Sequence, residues 1–252
     1  MTTQTAPLPS GAAIPLLGFG TWQIKGDTAR TATEAALAAG YRHVDTATMY
    51  GNEAEVGAAL RGHDDVFVTT KVPPRLADRA RATLEESLTA LGRDAVDLWL
   101  VHAPPADSVA LWRVVVQAQA DGLAKDIGVS NYSAAQIDEL VEATGVAPAL
   151  NQIRWSPYLH DPEVVDQHRE RGVVLEGYSG LKGGVLDDPV VTGLAERLGR
   201  TPAQVLIRWH LEHGIVVIPK SSNPERIAAN ADVDFALAPE DVAALDALRQ
   251  DA

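Results

Sequence analysis

The chain has 252 residues, 46% of them hydrophobic, which suits one large domain with a sizeable core. A net charge of -13 repels nucleic acid and anionic membranes, and no apolar run approaches the ~20 residues of a membrane-spanning helix. With no cysteine, disulfides, thiolate nucleophiles and zinc–thiolate sites are excluded. These bounds lead to the expectation of a cytoplasmic monomer acting on a small molecule, in which any anionic ligand is held by a local basic pocket.

The first residues, MTTQTAPLPSG, contain neither a basic nor an apolar targeting segment. They read as a flexible leader over 1–12. From there strand-like and helix-like segments alternate. L-L-G-F-G (16–20) is a short strand, followed by an Ala-rich helix over 28–39. Y-R-H-V-D (41–45) precedes a helix over 53–60, and V-F-V-T-T-K (66–71) one over 77–91. V-D-L-W-L-V-H (96–102) leads to a helix over 108–120, and A-K-D-I-G-V-S-N (124–131) to one over 134–143. A-P-A-L-N-Q (147–152) precedes a helix over 162–171. V-V-L-E-G-Y-S (173–179) precedes helical material over 189–212. I-V-V-I-P-K-S (215–221) ends at a short helix near Asn223, and a last amphipathic helix covers 238–249. Ser133, Asp161-Pro162 and Thr201-Pro202 are helix-start signals. The strands are short, β-branched and nearly continuous in apolar character, as parallel strands buried on both faces should be. Eight such units without a linker predict a single-domain α/β fold, a closed (β/α)₈ TIM barrel over 1–252. The dinucleotide fingerprint of an open sheet is missing, because L-G-F-G-T-W lacks the third glycine and no helix follows at once.

In such a barrel the carboxyl ends of the strands form the active face. Those ends carry Trp22, Asp45, Lys71, His102, Ser130-Asn131, Gln152, Tyr178-Ser179 and Lys220-Ser221, and Tyr50 lies in the loop after Asp45. Strand ends are polar in any barrel, and a lone Lys–Asp pair or a lone histidine is more often structural. The set as a whole has matched roles. A tyrosine hydroxyl titrates near pH ~10, and an adjacent ammonium favours its phenolate. A carboxylate holds the ammonium, and a neutral histidine hydrogen-bonds a substrate oxygen. Together they suit protonation of a carbonyl oxygen as its carbon receives a hydride. Farther along, Lys220 and Arg226 flank a helix start within I-P-K-S-S-N-P-E-R-I-A-A-N (218–230), an anion site in an acidic protein.

The stretch G-Y-R-H-V-D-T-A-x5-E-x2-V-G, from Gly40 to Gly57, resembles the first signature of the aldo-keto reductases, and the likeness runs from I-P-L-L-G-F-G-T-W to R-I-A-A-N. Among them the chain is most similar to bacterial members such as the 2,5-diketo-D-gluconic acid reductases. The resemblance implies a catalytic tetrad of Asp45, Tyr50, Lys71 and His102, with Tyr50 as general acid, and NADPH (NADP+) as cofactor. It places Ser130, Asn131 and Gln152 on the nicotinamide carboxamide, with Tyr178 stacked on the ring. Thr21, Trp22 and Asp45 are further expected cofactor contacts. Ser179, Leu181 and Gly183 fall in the pyrophosphate-covering loop. Lys220, Ser221, Ser222, Arg226 and Asn230 form the adenosine 2′-phosphate clamp.

The substrate pocket departs from the family pattern. Ala103 follows the histidine where relatives commonly carry Trp, K-V-P-P replaces the usual K-Leu-Trp after Lys71, and Ala229 stands where many relatives have a polar residue near the adenine. A shallow, open pocket is expected, touched by Trp22, Tyr50, His102 and Trp155. The expected reaction is NADPH-dependent reduction of small aldehydes and ketones without a metal. Two other readings are a non-catalytic NADP(H)-binding regulatory subunit of the same fold, and a metal-dependent hydrolase using Asp45, His102 and Glu176.

Overall fold

The fold is that of a computed structural model, which describes residues 4–250. An antiparallel hairpin, β1 (Thr5–Pro7) and β2 (Ala13–Pro15), opens the chain. Then follow β3 (Phe19–Gly20), α1 (Asp27–Ala38), β4 (His43–Asp45), α2 (Glu53–Ala59), β5 (Phe67–Val72), α3 (Ala80–Leu91), β6 (Val96–Val101) and α4 (Ser108–Ala120). The second half continues with β7 (Ala124–Ser130), α5 (Ala134–Thr144), β8 (Leu150–Arg154), α6 (Pro162–Glu170), β9 (Val174–Tyr178), α7 (Pro189–Leu198), α8 (Pro202–Glu212) and β10 (Val216–Val217). The chain ends with α9 (Pro224–Ala231) and α10 (Pro239–Asp246).

Strands β3 to β10 pair in chain order, each parallel to the next. Closure comes from the first and last strands. Leu17 bridges Val217 in parallel, Gly18 N–H donates to Val217 O at 2.9 Å, and Gly20 N–H donates to Pro219 O at 3.1 Å. The sheet is therefore a (β/α)₈ barrel, the class the alternating pattern predicts.

The alternation of side chains along β6 shows how the core divides. Leu98 and Leu100 pack with Leu8, Ile14 and Phe19, whereas Trp99 and Val101 pack with Leu84, Leu88 and Trp112 on the surrounding helices. One set fills the barrel and the other glues helices to it. Leu8 and Ile14 belong to the hairpin, so the expectation of a flexible leader over 1–12 is corrected for its described part, residues 4–12. These residues form ordered structure because the hairpin buries two apolar side chains and because Ser10 binds Asp126 through both its N–H, at 3.1 Å, and its hydroxyl. Met1–Thr3 lie outside the described residues.

The helices begin where the cap signals place them. Ser133 and Thr201 form capping boxes with Gln136 and Gln204, and Asp161 accepts from Glu163 N–H at 3.0 Å. The helical material over 189–212 is two helices. Gly199, at φ 62°, ends α7 in the left-handed region, and Thr201-Pro202 restarts the chain as α8. No helix among the described residues is long and apolar enough to cross a membrane.

Candidate active site

Asp45 is the last residue of β4, Lys71 the last but one of β5, and His102 follows β6 directly. Parallel pairing brings these ends side by side. Lys71 is fully buried, its Nζ 2.6 Å from Asp45 Oδ2 and 2.8 Å from Thr46 O. Gln152, on β8 across the barrel, donates to the same Asp45 oxygen at 2.9 Å. One carboxylate oxygen thus fixes both the ammonium and the amide.

Tyr50 closes a short 3-10 turn, Thr48–Tyr50, and Gly51 reverses the chain behind it at φ 61°. The turn is held on several sides. Thr48 Oγ1 donates to Lys71 O at 2.9 Å, and Lys25 Nζ donates to Tyr50 O. Buried Asn52 donates to Thr21 O and Ile24 O and accepts from Thr46 Oγ1. The Tyr50 ring lies 4.9 Å from Trp22 and 5.7 Å edge-on from His102, centroid to centroid, with Lys71 Nζ 5.2 Å from its centre. The structure therefore brings Asp45, Tyr50, Lys71 and His102 together.

Electrostatics differ in part from the sequence expectation. Burial pushes the Tyr50 phenol above its ordinary pKa of 10, and the Lys71 ammonium opposes this without cancelling it. For Lys71, burial favours the neutral amine, but Asp45 and then Tyr50 outweigh it, so the ammonium is held. Burial, helped by the charges of Lys71 and Arg75, lowers His102 to about 3, which leaves a neutral imidazole. A neutral ring can hydrogen-bond an oxygen on either side of a proton transfer.

Glu176 is a residue whose role sequence reasoning misses. It pairs in register with Gln152, its side chain is fully buried, and neither carboxyl oxygen has a hydrogen-bond partner among the described residues. Burial, and then the neighbouring Asp45 charge, raise it to about 8. It therefore carries a proton at neutral pH and adds no second negative charge beside Asp45. A carboxyl raised in the fold holds a proton that the unfolded chain releases. Stability contributed by the neutral form is complete below the ordinary value of 4.5 and is lost as pH rises towards about 8. Glu176→Gln is expected to flatten this fall in urea denaturation curves taken across that pH window. An unchanged slope would show that another group causes it.

Beyond the tetrad runs a cleft of ≈ 860 Å³. Asp45, Tyr50 and His102 line it, together with Trp22 and Met49, each 40% exposed. Ser130, Asn131, Gln152 and Tyr178 line it as well. Asn131 is held at φ 62°, donates to Ser130 Oγ and accepts from the Tyr178 hydroxyl, both at 2.9 Å. Ser179, the next cleft residue, is also at positive φ (58°). Two non-glycine residues kept in the left-handed region on one wall mark a pre-shaped surface. Ser179 and Leu181, in the loop after β9, and Lys220, Ser221, Arg226 and Asn230 complete the lining expected from the sequence.

Five expected site residues do not line the cleft. Lys71 lies behind Asp45 and Tyr50. Thr21 is fully buried and donates to Asp45 O at 3.0 Å, so it braces β4. Gly183 and Ser222 lie beside the lining residues but outside the set. Trp155 is corrected more sharply. It is 2% exposed and packs with Leu175, Val205 and Trp209 in the outer core. Residues of opposite parity along an extended chain face opposite ways, so directing Gln152 inward directs Trp155 outward. The substrate contact expected of it is not placed. Conversely, the cleft includes Thr201, Pro202 and Ala203 at the start of α8. Their cap signal was legible, but its approach to the cleft depends on the closure of the barrel.

Among the described residues, the only His/Asp/Glu group whose ligand atoms converge closely enough for a metal is His160, His213 and Asp246, so Asp45, His102 and Glu176 do not form a metal centre.

The fold is thus a parallel barrel with a buried Lys–Asp pair beside a cleft tyrosine. The chain belongs to the aldo/keto reductase family, an oxidoreductase family that generally uses nicotinamide cofactors, whose family model matches residues 16–250. It is 42% identical to an aldo-keto reductase of Mycolicibacterium smegmatis, covering 96% of this chain and 92% of that one. It is 40% identical to the morphine 6-dehydrogenase of Pseudomonas putida over 96% of this chain and 90% of that one. Among solved structures it is similar to an aldo/keto reductase from Brucella melitensis, with a TM-score of 0.90 and 40% identity over 98% of this chain and 100% of that one. The apo form of Gox0644 superimposes with a TM-score of 0.93 at 37% identity over 99% of this chain and 95% of that one.

Proposed function

We propose that the protein is an NADPH-dependent reductase of small aldehydes and ketones, with Tyr50 as general acid. The observation that carries this reading is one cleft lined both by Asp45, Tyr50 and His102 and by two cations, Lys220 and Arg226, that no ion pair satisfies. Neither Lys220 nor Arg226 is in any ion pair among the described residues, although the chain carries a net charge of -13. Arg226 lies in the first turn of α9, whose N–H groups and dipole favour an anion.

These residues fit a phosphorylated dinucleotide. Lys220 and Arg226 would hold the 2′-phosphate, the loop of Ser179 and Leu181 would lie by the pyrophosphate, and Ser130, Asn131 and Gln152 would bind the carboxamide. When bound, the nicotinamide supplies a hydride to the carbonyl carbon. The chain supplies the rest. His102 hydrogen-bonds the carbonyl oxygen and orients it. Tyr50 releases its phenolic proton to that oxygen, and the Lys71 ammonium, fixed by Asp45 and Thr46, stabilises the phenolate left behind. Tyr50 then recovers a proton from solvent. The raised phenol pKa keeps the acid protonated at neutral pH until a substrate arrives.

Arg226→Ala tests the cofactor. A hydrogen bond to a charged group contributes about 1.5–3 kcal/mol. The variant is therefore expected to weaken NADPH binding about 10- to 100-fold, with NADH binding nearly unchanged. Fluorescence titration with both cofactors measures this. Equal losses for both would remove the 2′-phosphate assignment. Oxidation of NADPH by a panel of aldehydes, dicarbonyls and sugar-derived carbonyls tests the reaction itself, and no turnover with any of them would overturn the reading.

A further inference from the structure

Three side chains outside the cleft meet at one point. His160 ends the loop after β8, His213 caps the C-terminus of α8, and Asp246 is the last residue of α10. His213 Nε2 lies 2.9 Å from Asp246 Oδ1, and His160 Nε2 lies 3.8 Å from the same oxygen. The two imidazole rings are 4.9 Å apart. We infer that His160, His213 and Asp246 form a three-ligand site for a divalent zinc-type cation that fastens α10 to the barrel.

The observation that separates this from an ordinary hydrogen-bond cluster is His160. Its side chain is 7% exposed, yet neither ring nitrogen has a hydrogen-bond partner among the described residues: Nδ1 has none, and Nε2 reaches Asp246 only at 3.8 Å. The buried, unpartnered Nδ1 makes this ring costly to bury, and an Nε2 facing a carboxylate from just beyond hydrogen-bond range leaves room for an ion between them. Ligand atoms on one zinc ion, at bond lengths of about 2.0–2.2 Å, stand about 3–4 Å apart. The separations of 2.9 and 3.8 Å fit that spacing, and all three ligand atoms lie within 4.8 Å of one another.

The surroundings fit a held ligand set. Trp209 Nε1 donates to Asp246 Oδ1 at 2.7 Å, the outer hydrogen bond that commonly orients a ligating carboxylate. Trp209 also lies edge-on to both imidazoles, at 5.5 Å from His160 and 5.0 Å from His213. Just beyond α10, Arg249 pairs with Asp161 at 2.9 Å and Gln250 N–H donates to Tyr158 O at 3.0 Å, which keeps the end of the chain against the His160 loop. Two imidazoles and one carboxylate select zinc-like ions over calcium or magnesium, which take oxygen ligands. His213 and Asp246 are partly exposed, so water can supply a fourth ligand. None of the three residues lines the cleft. The site is structural, and the proposed reduction does not pass through it.

The test uses the full chain without an affinity tag, stripped by chelator. Calorimetric titration with Zn²⁺ is expected to show one equivalent bound. His213→Gln and Asp246→Asn are each expected to weaken it about 10-fold or more, while NADPH binding stays unchanged. Zn²⁺ should raise the melting temperature of the wild type and not of the variants. The visible spectrum of the Co²⁺-loaded wild type, which needs no variant, is expected to show intense low-coordinate bands. Absence of binding, a cobalt spectrum like that of the aqueous ion, or full binding by the Asp246→Asn/His160→Gln double variant would overturn the assignment.

Discussion

Tyr50→Phe is expected to lower kcat by about 10²–10⁴-fold, the range supplied by a positioned general acid, while leaving NADPH affinity within a small factor of wild type. Tenfold in rate is 1.36 kcal/mol, so the loss is about 3–5 kcal/mol of transition-state stabilisation. The substitution removes one oxygen and little else. The ring is buried between Trp22 and His102, and the backbone of the turn is held by Thr48, Asn52 and Lys25, none of which touches the hydroxyl. The turn should therefore keep its shape, and the stability of the fold should change by less than about 1.5 kcal/mol, the value of one hydrogen bond. Single-turnover oxidation of bound NADPH is the right measurement, because it isolates the chemical step from product release. Full turnover in the variant would remove Tyr50 from the mechanism. A loss of cofactor binding equal to the loss of rate would make it a packing residue.

The alternation of short apolar strands with capped helices was enough to reach the barrel, because buried parallel strands and cap residues both follow local rules. The tetrad was equally legible, since Asp45, Lys71 and His102 are adjacent strand ends in a barrel and Tyr50 lies in the same loop as Asp45. What could not be read depended on three-dimensional closure. Trp155 resembled a rim aromatic until the inward direction of Gln152 fixed the parity of β8. The hairpin over 5–15 is rich in Pro and Ala with no clear alternation, and only its seat against Asp126 and the barrel interior orders it. Glu176 sits in an apolar run, where its depth and its nearness to Asp45 are invisible. The direction of the Tyr50 shift was missed for the same reason: sequence shows that a lysine is near, but the competing burial is a property of the packed ring.

Lys71→Met is expected to destabilise the fold by about 3–5 kcal/mol, the cost of breaking a buried ion pair by removing one partner, and to abolish measurable turnover. Lys71 and Asp45 expose 0% and 2% of their side chains, so solvent screens neither. Methionine fills much of the lysine stem's volume, and the loss is therefore mainly electrostatic. Without the ammonium, Asp45 keeps only the Gln152 amide as a donor to its charged oxygen and lies near a second buried acid, Glu176. It must either remain as an uncompensated charge or take up a proton. The double variant Asp45→Asn/Lys71→Met removes both charges and should recover part of the stability, so that its loss is smaller than the sum of the two single losses. Activity should not recover, because the phenolate of Tyr50 would still lack its cation. Urea denaturation of the four proteins, with turnover measured on the same samples, gives the coupling directly. Additive stability losses would mean that Asp45 and Lys71 act independently in the fold. Recovered turnover in the double variant would mean that the ammonium is not what prepares Tyr50 to give up its proton.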